Sequence, residues 1–108
     1  MMAKARIFEM NEGDVWALAE RELDAGGDWP VLLKREWAPT QGGVCLKRTR
    51  DGFILAASCD RDDAIRFFMA EDGQVLHELA ERFVAEMETS GNPLSLAVTI
   101  PVPRKPDR

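Results

Sequence analysis

Few residues in this chain of 108 could do chemistry. Cys45, Cys59 and His77, the two cysteines and the one histidine, are the set that could hold a transition metal or form a thiolate–imidazole pair. Both cysteines lie in the stretch GVCLKRTRDGFILAASC, residues 43–59, where two runs of branched and aromatic residues flank Asp51-Gly52. Asp-Gly suits a two-residue type I′ turn, whose central residues both need positive φ. That turn sets Arg50 opposite Phe53, Leu46 opposite Ala57 and Val44 opposite Cys59. One face of the hairpin then carries Val44, Leu46, Phe53, Leu55, Ala57 and Cys59. The other carries Cys45, Lys47, Thr49, Ile54, Ala56 and Ser58.

In that register the cysteines point to opposite sides, so a disulfide between them would need the strands to slip. Metal sites usually draw on close ligand pairs such as C-x2-C, because a local turn pre-sets two ligands. The gaps here are wide. A cysteine nucleophile would need His77 as its base. His77 reaches Cys45 only if its helix packs on the Cys45 face, which is the less apolar one. Cys59 is expected in the core, and Cys45 is the thiol that would react if either does.

Asp60, Asp62 and Asp63 invite a calcium reading. Asp60, Asp62 and Glu71 match positions 1, 3 and 12 of a calcium loop, but position 5 is Ala64 and position 6, where the sharp turn wants glycine, is Ile65. A solvated turn is the better reading. None of the glycine pairs is followed by a phosphate-binding lysine. The sequence therefore gives no catalytic set, no metal site and no cofactor.

Charge is the more usable signal. The formal net charge is −5, and the C-terminal tail, with Arg104, Lys105 and Arg108 against Asp107, leaves the body more acidic still. That balance argues against direct nucleic-acid binding, which needs phosphate-neutralising cations, and against anionic lipid surfaces. Basic residues gather at Lys34, Arg35, Lys47, Arg48 and Arg50, with Glu36 among them. Acidic residues gather at Glu71, Asp72, Glu78, Glu81, Glu86 and Glu88, with Arg82 among them. The partner-binding candidates are Glu78, Glu81, Glu86 and Glu88 on the acidic side, and Trp37, Lys47, Arg48 and Arg50 on the basic side. Of the other tryptophans, Trp16 is expected in the core, and Trp29, beside a proline break, partly exposed.

The elements that must position these groups follow from periodicity. A helix is expected over about 12–25, capped by Asn11 and stopped by Gly26-Gly27, with Val15, Trp16, Leu18, Ala19 and Leu23 on one side. Short strands are expected over 5–10 and 31–37. After the hairpin, residues 64–70 alternate as a strand, with a short helix capped by Asp60 as the alternative. The clearest helix is 74–89, striped by Leu76, Leu79, Ala80, Phe83 and Met87 and ended by Gly91 and Pro93. Residues 94–100 alternate as a final strand.

The expected fold is α+β: a mostly antiparallel sheet of four to five strands, its hairpin centred on Asp51-Gly52, with both helices packed on one face. Residues 1–100 form one domain, and 101–108 a flexible, proline-rich, basic tail. The N-terminus lacks the apolar core of a signal peptide, and the longest apolar run, Phe53 to Ala57, is far short of a membrane span, so the expected compartment is the cytoplasm.

Three functional readings compete. The leading one is a small, non-catalytic protein-binding module that meets a basic protein partner through the polarised surface; an inhibitor from a phage or mobile element belongs to this class. The second is a homodimeric structural domain of unknown role. The third is a small enzyme or ligand-binding protein using Cys45, His77 and the loop aspartates Asp60, Asp62 and Asp63.

Overall fold

The computed structural model describes residues 7–36, 42–59, 64–96 and 98. The order is β1 (Phe8–Met10), α1 (Glu12–Glu22), β2 (Val31–Glu36), β3 (Gly42–Arg48), β4 (Phe53–Cys59), β5 (Ala64–Ala70) and α2 (Gly73–Ser90), then a 3₁₀ turn at Pro93–Ser95. The strands form one open antiparallel sheet in the order β1-β5-β4-β3-β2. The α+β class and the strand at 64–70 are as the sequence indicates.

Local chemistry sets the helix ends. Asn11 Oδ1 accepts the Asp14 N–H at 2.8 Å, and Asp72 Oδ1 accepts that of Gln74 at 2.8 Å. Gly91 closes α2 in the left-handed region at φ 78°, where its N–H reaches the Met87 carbonyl. The first helix stops at Glu22, short of residue 25, because Leu23 turns extended while its N–H still bonds Ala19.

The main core lies between the sheet and α2. Val44, Leu46, Leu55, Ala57, Phe68 and Ala70 meet Leu76, Leu79, Ala80 and Phe83. The second helix face is elsewhere. Leu18 of α1 packs with Trp29 and Ile54, supported by Val15, Ala19, Phe67 and Met69. Adjacent strand residues point to opposite faces, so Ile54 and Leu55 divide the sheet into two sides. The helices therefore sit on opposite faces, against the expectation of one shared face. The cause is that β4 and β5 are apolar on both sides: α2 already covers Leu55 and Phe68, and Ile54, Phe67 and Met69 need a second cover.

The hairpin differs by two residues from the expected register. Val44 pairs with Ala57, Leu46 with Leu55 and Arg48 with Phe53. The loop runs Thr49 to Gly52, with the Thr49 N–H 2.9 Å from the Gly52 carbonyl. The hairpin is centred on Arg50-Asp51, not on Asp51-Gly52. Gly52 does not take the positive φ of a type I′ turn. It is small for another reason: a Cβ there would stand 2.7 Å from the Ala70 carbonyl oxygen. A shift of two keeps every side chain on its expected face.

The alternating segment after Pro93 does not begin as a strand. Pro93–Ser95 is a 3₁₀ turn, and Leu94, Leu96 and Val98 pack half-buried against the main core. The Arg66 guanidinium donates to the carbonyls of Leu94 and Leu96 at 3.2 and 3.0 Å, which anchors this segment by a side chain rather than by a described sheet ladder. Residues 97, 99 and 100 of the expected strand, and the tail 101–108, lie outside the described residues.

Candidate protein-binding surface

The helix α2 buries Leu76, Leu79, Ala80 and Phe83 and leaves His77, Glu78, Glu81 and Glu88 exposed on the other side. Their spacing of three, four and seven places them along one outward stripe. Glu86 is half-buried at its border. Gln74 Nε2 donates weakly to Glu78 at 3.4 Å. Among the described residues, no cation forms an ion pair with Glu78 or Glu88.

The basic side is less free than its composition implies. Arg35 reaches Glu81 at 3.3 Å, so the positive edge and the acidic helix abut. Lys34 pairs with Glu36 at 3.4 Å along β2. Lys47 donates to both oxygens of Asp28, at 2.9 and 2.8 Å, and holds that carboxyl below its usual range, chiefly through these hydrogen bonds. Arg48 and Arg50 are exposed, and the Arg50 main-chain N–H donates to Glu22 at 2.9 Å. Trp37, and Asp60, Asp62 and Asp63 of the calcium-like run, lie outside the described residues.

The tryptophans exchange their expected roles. Trp29 is buried; its Nε1 donates to Glu22 at 3.0 Å while its ring fills the space beside Leu18 and Ile54. Trp16 is 63% exposed. It lies about 100° around the helix from Val15, which puts it on the flank of the short stripe that meets the sheet.

The thiols are both free. Cys59 is buried with the α2 side, as expected, and Cys45 points to the α1 side, where it pairs across with Ala56. His77 is exposed on the outward surface of α2. The sheet thus separates Cys45 from His77. Cys45 and Ser58 instead line an open cleft of about 200 Å³ with Lys34, Glu36 and Gly43, where α1 does not cover the sheet. Among the described residues, no three or more His, Cys, Asp or Glu side chains come together as a metal site, and no helix is long and apolar enough to cross a membrane.

Two features escape sequence reasoning. Val31 and Leu32, apolar residues that suggest burial, stand about half exposed on β2 at the edge of the sheet. Glu9 and Arg66, far apart in sequence, form a tight pair that only the β1–β5 register brings together. No family model, no curated protein and no solved structure matches the chain.

Proposed function

We propose that this protein is a non-catalytic binding module that docks a basic protein partner through the outward stripe of α2. The observation that carries this reading is the division of labour on that helix. Leu79 and Phe83 bury almost completely on the inner side, while Glu78, Glu81 and Glu88 stay exposed on the outer side with Arg35 as the one ion-pair partner described for the three. A stripe without packing duty can meet a partner without disturbing the fold, and exposed carboxylates give such an encounter both orientation and rate. An inhibitor that occupies the basic groove of a nucleic-acid-binding machine is one form this function takes.

The test is capture from the native host with chemical cross-linking. The reading expects a basic partner whose cross-links fall on α2, and loss of that partner in Glu78→Lys/Glu81→Lys/Glu88→Lys. Cross-links confined to the α1 side of the sheet would contradict it. The cysteine–histidine reading gains no support, because the sheet stands between the two side chains.

A further inference from the structure

The strand β2 is bonded to β3 on one side, and no described strand lies on its other side. An open strand edge offers unpaired N–H and C=O groups to any second strand. Proteins usually guard such an edge with charge of one sign, so that two copies repel. The edge here is different. Lys34 and Glu36 alternate on the α1 side of the strand, with Arg35 between them on the α2 side. The bulge at Leu32 limits the regular part to Leu33–Glu36.

We infer that β2 is a self-complementary edge, and that two copies of this chain join there, antiparallel, into one continuous sheet. Residues directly opposite in such a pair must share a face, so the two-fold axis passes through a residue. On Leu33 it would set Lys34 against the bulge at Leu32. On Lys34 it would set two ammonium groups against each other. On Arg35 it sets Lys34 opposite Glu36 of the second copy, twice over. The two arginines then meet on the axis, but each already holds its own Glu81 at 3.3 Å, so that cluster is neutral.

This arrangement does not depend on the proposed role of α2, yet it bears on it. A two-fold axis perpendicular to the sheet keeps both α2 helices on the same side of the joined sheet. Through the Arg35–Glu81 pairs, their acidic stripes flank the seam. A short seam makes a weak dimer, and its association should depend on protein concentration.

The experiment is sedimentation velocity over a concentration series on four full-length proteins: wild type, Lys34→Glu, Glu36→Lys, and the double exchange. Lys34 and Glu36 are both exposed, so melting curves taken at a concentration where all four proteins are monomeric should coincide. The inference expects a reversible wild-type dimer. Each single change should weaken it roughly tenfold or more, since it turns two attractive cross-strand pairs repulsive. The double exchange should restore association to within roughly threefold, because it reverses both signs together. Hydrogen exchange on the wild type should show Leu33–Glu36 amides slowing as concentration rises. A wild type that stays monomeric, or a dimer that the single changes leave intact, would overturn the inference.

Discussion

Arg66 and Glu9 meet through two parallel hydrogen bonds, Nε to Oε2 at 2.8 Å and Nη2 to Oε1 at 2.9 Å. This forked contact fastens the three-residue edge strand β1 to β5. The same guanidinium lies 5.1 Å from the centre of the Phe68 ring and 6.0 Å from that of Phe83, and donates to the Leu94 and Leu96 carbonyls. One side chain thus ties the first strand, the main core and the segment after α2 together.

Replacing Arg66 with alanine should therefore cost on the order of 2–4 kcal/mol in urea unfolding, since it orphans two carbonyls and a carboxylate at once. Lysine should recover only part of the loss, because an ammonium cannot make the fork. Limited proteolysis should cut the segment after Gly91 faster in both variants. An alanine variant as stable as wild type would show that these contacts are idle.

Acid should act through Glu9. The hydrogen bonds from Arg66 hold its carboxyl below the ordinary value of 4.5, against a smaller opposing effect of burial. A depressed folded-state value means the stabilisation is fully present above 4.5 and is lost as pH falls through the lower, folded value. Glu9→Gln should lower the melting temperature at neutral pH and flatten its fall below about pH 4.5. Parallel melting curves for the two proteins from neutral to acid pH would contradict this.

At the hairpin, Gly52→Val should destabilise by roughly 1–3 kcal/mol, because its Cβ would collide with the Ala70 carbonyl 2.7 Å away. Asp51→Asn should be nearly neutral, within about 0.5 kcal/mol, as Asp51 is exposed at the centre of the loop and asparagine suits the same turn positions. Chemical denaturation of both variants decides between a contact and a turn preference as the reason for glycine.

In α2, Phe83→Ala should cost about 3–5 kcal/mol, since its ring is fully buried 5.6 Å from that of Phe68. Glu78→Ala and Glu88→Ala should each stay within about 0.5 kcal/mol. Equal effects from the two sides of the helix would break the separation on which the proposed function rests.

These contrasts show what a sequence can carry. The two sides of α2 were legible because a 3.6-residue period separates Leu79 and Phe83 from Glu78 and Glu81 without help from the rest of the chain. The faces of β3 and β4 were legible for the same reason at period two, but their register was not. A shift of two leaves every face unchanged, so the face pattern cannot choose between pairing Leu46 with Ala57 and pairing it with Leu55, as the structure does. The placement of α1 was hidden because β4 and β5 are apolar on both sides, so the pattern allows either cover. Of the candidate surface, the exposed glutamates could be read directly. The internal pairing of Arg35 with Glu81 could not, since 46 residues separate them.

The proposed function turns on the α2 stripe, and the most direct measurement is capture of the cross-linked partner by wild type and by Glu78→Lys/Glu81→Lys/Glu88→Lys, at low and at raised salt. The variant should melt like wild type, because the three side chains are exposed and the one ion pair it breaks is a surface one. Wild type should retain a basic partner at low salt and release it progressively as salt rises, and the folded variant should fail to retain that partner at any salt. A folded variant that captures the same partner at the same salt would contradict it and remove the acidic helix from the function.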